Sequence, residues 1–275
     1  MLTPVNADIG IREIRQLTGF IKETHGVDYT EYALTSFKRR IEQALYVNKC
    51  SFDTLLKNLE SKMFLDRFIG QVAVGVTEMF RDPTFWILLK NIYLTNIFKA
   101  HDKVRIWVPL CASGEEFYSL AILLKENNWT QRSEIYLSCM CDETLSRIQK
   151  GRMEQYKLEI SVKNYGRFQG LSRFDDYYKI QDDDVVFNQS LFANTQIFKQ
   201  NLSFDNSVPP MHLILFRNQM IYFNPTLQYK TCDILYEKLA TKGLLALGIL
   251  EEMDLNANSK YAVLNKEESI YQRKN

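Results

Sequence analysis

Residues Trp107–Ser119 read W-V-P-L-C-A-S-G-E-E-F-Y-S, and they constrain the fold more than any other stretch. A short β-like run, Val104-Arg105-Ile106, leads in, and an apolar helical pattern, Leu120-Ala121-Ile122-Leu123-Leu124, leads out. A strand that breaks at small residues, turns at a glycine and enters a helix exposes backbone N–H groups at its tip. Open α/β sheets hold charged ligands at such tips, beyond the carboxyl ends of their strands. A phosphate site would present N–H groups and a lysine there. This chain instead places two carboxylates, Glu115 and Glu116, which argues for a cationic ligand.

The surrounding sequence fits a fold of that kind. From Lys103 onward, strand-like runs at Val104–Val108, Ile135–Met140, Thr195–Lys199, Leu213–Phe216 and Leu244–Leu247 alternate with helical patterns. The helical patterns lie at Glu116–Lys125, Glu143–Lys150 and Thr226–Lys242, with Gly243 expected as the C-cap of the last. This alternation predicts a mainly parallel, doubly wound α/β sheet. Lys260–Leu264 and Ser269–Gln272 predict a terminal antiparallel hairpin, and Tyr156–Asn194 breaks the rhythm as an irregular insertion.

Residues before about 100 read differently. Ile9, Ile11, Ile14, Leu17 and Ile21 form one helical stripe, and Tyr32, Leu34, Phe37, Ile41 and Leu45 a second. Phe52, Leu55, Leu56 and Leu59 form a third. A further helix should begin near Asp82-Pro83, where Asp caps and Pro suits the first turn. The expected organisation is a small all-α N-terminal domain over 1–76, a linker and connecting helix over 77–102, and an α/β domain over 103–275 with its insertion at about 156–194.

Composition narrows the function classes. A formal net charge of +1 provides no global attraction to nucleic acid or to an anionic membrane. No apolar run is long enough to span a membrane, and Met1–Asp8 lacks the features of a signal peptide, so a cytoplasmic location is expected. Five cysteines, an odd count without ligand spacing, read as free thiols; no metal site is expected.

Four blocks carry a family resemblance. They are Thr77-Glu78-Met79-Phe80-Arg81-Asp82, Cys111-Ala112-Ser113-Gly114-Glu115-Glu116-Phe117-Tyr118-Ser119, the pair Asn201-Leu202, and Phe216-Arg217-Asn218-Gln219-Met220-Ile221-Tyr222-Phe223. In order and spacing the chain resembles the CheR-type chemoreceptor glutamate methyltransferases over nearly its whole length. The resemblance implies a class I methyltransferase-like fold and S-adenosylmethionine as cofactor, with S-adenosylhomocysteine as product. A sulfonium carrying an α-amino group is also the type of cation that two acids at the turn would suit. The implied reaction is methyl esterification of glutamate side chains on cytoplasmic receptor helices.

Site residues follow from the same blocks. The resemblance implies Arg81 and Tyr222 at the methyl-transfer centre. It implies Thr77, Ala112, Ser113, Gly114, Glu115, Met140, Asp142, Asn201, Leu202, Arg217 and Asn218 around the cofactor. Arg81 is fork-shaped and permanently charged, which suits it to hold a carboxylate. Glu115 is expected to face the cofactor's ammonium, and Asn201 its adenine. A glutamate substrate is already ionised at neutral pH, so positioning and exclusion of water are the main tasks.

The pattern departs from the family at one important position. Where related sequences carry an acid for the ribose hydroxyls, this chain has Met140; Asp142 lies two residues on. A thioether is a poor acceptor. The competing reading is therefore a non-catalytic adaptor that keeps the fold and binds cofactor weakly or not at all. Pro109 and Leu110, at positions commonly small, are expected to narrow the approach to the methionine tail.

For partners, the resemblance implies that Lys38, Arg39 and Arg40 meet an acidic receptor helix. Three adjacent positions spread around a helix and cannot all face one partner. A monomer is expected, and no basic aromatic patch points to nucleic acid.

Overall fold

The computed structural model describes residues 9–72, 77–201, 204, 208–254 and 259–275. Leu202, expected near the adenine, lies outside the described residues.

The chain opens with four helices: α1 (Ile11–His25), α2 (Leu34–Asn48), α3 (Phe52–Asn58) and α4 (Lys62–Val72). The expected stripes are their buried faces, with two corrections. Ile11 and Leu34 are exposed, because each is the first residue of its helix and points away before the helix reaches the core. A continuous helical run follows: α5 (Pro83–Leu88), a π-helical segment (Leu89–Leu94) and α6 (Thr95–Ala100). Asp82 precedes it as expected but does not cap it. Its backbone is left-handed (φ 57°) and no capping bond forms, because its carboxylate is engaged by Arg217.

The α/β part then runs β1 (Val104–Val108), α7 (Glu115–Glu126), β2 (Ser133–Cys139) and α8 (Asp142–Gln149). Next come β3 (Arg152–Glu154), α9 (Leu158–Phe168), β4 (Tyr178–Gln181) and β5 (Asp184–Phe187). The chain ends with β6 (Thr195–Lys199), β7 (Met211–Leu215), α10 (Pro225–Lys238), β8 (Leu239–Ala246), β9 (Tyr261–Asn265) and β10 (Ile270–Arg273).

The main sheet has seven strands in the order β6-β2-β1-β7-β8-β10-β9. The first five are parallel, and β10 and β9 close the edge antiparallel. The doubly wound sheet with a terminal hairpin forms as expected. The strand order reverses between β1 and β7, and the loops leaving those two strands diverge there to open a crevice.

Two expectations are corrected. The 156–194 segment is not irregular: it holds α9, β4 and β5, and β5 pairs with β3 and β4 in a separate antiparallel sheet. Gly243 is not a C-cap, since α10 passes directly into β8 at Leu239 and Gly243 lies within the strand. A Cβ there would sit 2.7 Å from the Met211 carbonyl, where the β7–β8 register shifts. The glycine marks close backbone approach.

The N-terminal helices share one continuous core with a face of the sheet. Ile14, Phe37, Ile41 and Phe68 pack in the same cluster as Trp107, Ile214, Phe216 and Leu245. The opposite face is covered by α5, α6, α7 and α9, through Phe85, Trp86, Leu120 and Phe168 among others. All five cysteines are free, and four are buried. Among the described residues no helix is long and apolar enough to cross a membrane.

Candidate active site

The loop after β1 turns sharply. Leu110 adopts φ 52° while its N–H donates to Ser138 Oγ at 3.2 Å, and the Cys111 N–H donates to the Ser138 carbonyl at 2.7 Å. Gly114 has φ 107°, and a Cβ there would lie 2.8 Å from the Tyr118 ring. Only glycine fits both the angle and the contact.

Beyond this turn lies a narrow cleft of about 30 Å³, close to the share of a single water molecule. Thr77, Arg81, Pro109, Ala112, Glu116 and Arg217 line it. Arg81 reaches it from the segment before α5, and its guanidinium makes no ion pair or hydrogen bond among the described residues. Arg217, by contrast, is engaged by two carboxylates, although its buried Nε finds no hydrogen-bond partner among the described residues. Its side chain is 2% exposed, bonded to Asp82 at 2.7 Å and to Glu116 at 3.4 Å, and it lies 3.9 Å above the Phe85 ring. Burial pushes the Glu116 carboxyl up to about 7, with the Arg217 guanidinium opposing the shift.

Glu115 also borders this cleft, but its carboxylate is committed elsewhere. It is fully buried, with Lys157 Nζ 2.6 Å from Oε1, and Ser113 Oγ donates to Oε2 at 2.6 Å. Both carboxylate oxygens are occupied by the chain itself. The acid expected to face a ligand's ammonium is held here in an internal ion pair. Lys157 was absent from the sequence reading because its segment gave no pattern that aimed it inward.

The loop after β7 is held by a different acid. Glu251 is buried, and its Oε2 accepts the Asn218 N–H at 2.7 Å and the Gly248 N–H at 2.6 Å. Its Oε1 accepts the Ile221 N–H at 3.2 Å. Asn218 is held at φ 59° in this knot. Tyr222 follows, but it does not line the narrow cleft. Its ring lies under the Arg40 guanidinium at 4.3 Å, its carbonyl accepts the Ala33 N–H at 2.8 Å, and its hydroxyl has no hydrogen-bond partner among the described residues. Arg81 and Tyr222 therefore occupy different walls.

A second, wider cavity of about 580 Å³ opens beyond the ends of β2 and β6. Met140 and Asn201 line it together with Lys199, Gln200 and residues of α1 and α4. Asp142 does not line it. Its carboxylate is 70% exposed and tied to Lys199 at 2.7 Å, because it starts α8 on the outer rim. The acid that does line the cavity is Asp66 of α4, which accepts the Asp142 N–H at 2.9 Å and Lys199 Nζ at 2.6 Å. Sequence reasoning missed it, since Asp66 lies in the helical part, far along the chain from the β2 turn. A third cavity of about 370 Å³ adjoins Ser113, Glu154 and Lys157. Among the described residues no group of side chains could hold a metal.

Of the three basic residues on α2, Arg39 is exposed, Lys38 lies 3.7 Å from Glu42, and Arg40 covers Tyr222. The structure separates them as the helical spacing requires.

The chain is similar to several known proteins. Putative methyltransferase Cher3 of Pseudomonas putida is 29% identical, covering 99% of this chain and all of the relative. A chemotaxis protein methyltransferase of Listeria innocua is 26% identical over 90% of this chain and 93% of its own. Among solved structures, the N-methyltransferase NodS of Bradyrhizobium japonicum in complex with S-adenosyl-L-homocysteine aligns with a TM-score of 0.38 at 9% identity, over 80% of this chain and 97% of that one. The family model described as "CheR methyltransferase, SAM binding domain" matches residues 75–270. The chain thus belongs to the CheR methyltransferase family, whose catalytic domain binds S-adenosylmethionine.

Proposed function

We propose that this chain transfers a methyl group from S-adenosylmethionine to glutamate side chains of a chemoreceptor or a related signalling protein. Family membership supports S-adenosylmethionine-dependent methylation in chemotaxis; the glutamate substrate is our reading. One observation carries it: Arg81, whose guanidinium makes no hydrogen bond or ion pair among the described residues and feels the field of Glu116, lines a cleft at the sheet's switch point. Every other charge lining that cleft is neutralised by a neighbour or is itself a carboxylate. A guanidinium there with its hydrogen-bond donors uncommitted suits an incoming carboxylate.

The wide cavity fits the adenosine part of the cofactor. It is roomy, apolar on the Met140, Leu65 and Ile69 side and polar at Asn201 and Asp66. Asp66 would meet the ribose hydroxyls in place of the acid missing at Met140, and Asn201 the adenine. Ala112, Ser113 and Gly114 would flank the methionine part. When bound, the cofactor supplies an electrophilic methyl group on a sulfonium.

The protein's contribution is arrangement. Arg81 holds the substrate carboxylate, which needs no base at neutral pH. Arg217, paired with Asp82 and Glu116, braces the cleft wall. Asn218 and Tyr222 are set by the Glu251 knot, with Tyr222 bridging to the N-terminal helices. On α2, Arg39 is the exposed cation available to an acidic receptor helix.

Met140 and the closed state of Glu115 favour a second reading, a relative that docks but does not catalyse. The deciding experiment is incubation with tritiated S-adenosylmethionine and receptor cytoplasmic fragments. Base-labile radioactivity on the receptor, lost when Arg81 becomes Ala, supports the enzyme. Co-sedimentation with the receptor without any label transfer supports the adaptor.

A further inference from the structure

We propose that Lys157 is a tethered cation that occupies the ammonium seat on Glu115 and holds the methionine end of the cofactor site shut until cofactor enters. The inference rests on the S-adenosylmethionine-binding reading of this cleft and adds a gate to it.

The geometry is specific. Lys157 Nζ is 2.6 Å from Glu115 Oε1 and 3.1 Å from Ser113 Oγ, and Ser113 Oγ in turn donates to Glu115 Oε2. Glu115 is fully buried and Lys157 is 5% exposed. A three-donor ammonium on a flexible stem is the side chain that best imitates the α-ammonium of an amino acid. With Lys157 in place the carboxylate is neutralised, and a second cation would meet its charge at close range in a poorly solvated site.

The lysine also has somewhere to go. Glu154 Oε2 already lies 3.0 Å from Nζ, and that carboxylate is 39% exposed. The adjoining cavity of about 370 Å³ is lined by Glu154 and Lys157 themselves. Moving toward Glu154 would keep the charge paired while freeing Glu115. Lys157 sits at the start of α9, which is anchored independently where Asn164 Nδ2 donates to the Met79 carbonyl at 3.0 Å. The side chain can therefore move without its helix. Closure of the cleft to about 30 Å³ beside this pair agrees with a shut state.

If the open state is a minor population, apparent affinity falls by that fraction. The test compares two ligands on the intact chain by calorimetric titration: S-adenosylhomocysteine, which carries the α-ammonium, and 5′-methylthioadenosine, which lacks the amino-acid part. Lys157→Met should tighten S-adenosylhomocysteine binding about tenfold or more and leave methylthioadenosine unchanged. The ratio of the two affinities is insensitive to the folded fraction. Lys157→Gln keeps a donor to Glu115 and should shift the ratio in the same direction should the Met variant fold poorly. An unchanged ratio, or a ratio shifted against S-adenosylhomocysteine, overturns the proposal, the second outcome making Lys157 a ligand of the cofactor's carboxylate. If neither nucleoside binds any of the proteins, the S-adenosylmethionine reading fails and the gate fails with it. Equal binding by wild type and variants would refute the gate alone.

Discussion

The Arg40 guanidinium lies 4.3 Å from the centre of the Tyr222 ring, and this contact joins the second N-terminal helix to the loop after β7. A backbone bridge between Tyr32 and Phe223 and the bond from the Ala33 N–H to the Tyr222 carbonyl run beside it. The helix proposed to dock on a receptor is thereby in direct contact with a residue that the family resemblance implies at the methyl-transfer centre. Arg40→Ala should lower stability by about 1 kcal/mol and reduce methyl transfer even at saturating receptor. Arg39→Ala, at an exposed position, should leave the melting temperature unchanged and weaken receptor binding alone. Equal effects of the two substitutions on receptor affinity, with no effect on stability, would rule out this division of roles.

Glu251 satisfies the N–H groups of Gly248, Asn218 and Ile221 with its two oxygens. Glu251→Gln leaves one acceptor oxygen and turns an NH2 group toward those donors. A loss of roughly 2–3 kcal/mol in denaturant unfolding is expected, since buried donors lose their partners. Hydrogen exchange should speed up at Asn218 and Ile221 first. Protection at these two amides equal to wild type would show that the knot does not hold the loop.

The Glu116 carboxyl is pushed up to about 7, first by burial. Its folded value therefore lies above the unfolded one, and the folded state binds more protons between about pH 4.5 and 7. Stability from this group is present at low pH and lost as pH rises through that window, with a ceiling of about 3 kcal/mol. Glu116→Gln mimics the protonated form, so its stability relative to wild type should improve from pH 5 to about pH 7 and level off above it. Parallel unfolding curves across that range would contradict the assignment.

Asp66 lines the wide cavity next to Met140. If it receives the ribose, Asp66→Asn should weaken both S-adenosylhomocysteine and methylthioadenosine by about tenfold, the loss of one charge-assisted hydrogen bond. Asp142→Asn should have no more than a twofold effect, because that carboxylate faces outward. The reverse ranking in titration would return the ribose to Asp142.

His212 offers a control far from the cleft. Burial, with His101 and Arg105 nearby, lowers it to about 4, and its Nδ1 accepts the Arg105 N–H at 2.9 Å. The folded state binds fewer protons than the unfolded state between about pH 6.5 and 4. Stability should therefore fall as pH drops through that window, and His212→Gln should flatten the fall. A slope unaffected by the substitution would show that other groups control it.

The amino-acid sequence by itself determined the order of elements, because hydrophobic period and turn residues act within a few positions of the chain. Thr195–Lys199 and Val104–Val108 appear as the periodicity places them, and the Ser113-Gly114-Glu115 turn enters α7 where expected. The motif blocks likewise brought Thr77, Arg81, Ala112, Gly114, Arg217 and Asn218 to one cleft. Local pattern failed where the deciding contact was distant. Gly243 looked like a helix stop, yet close approach of the Met211 carbonyl makes it a strand residue. Asp82 looked like a cap, but Arg217, 135 positions along, claims its carboxylate. Only tertiary structure decided that Glu115 pairs with Lys157 and that Asp66, not Asp142, faces the wide cavity. A charge chooses its partner by distance and desolvation in space, and neither is written in the spacing of residues along a chain.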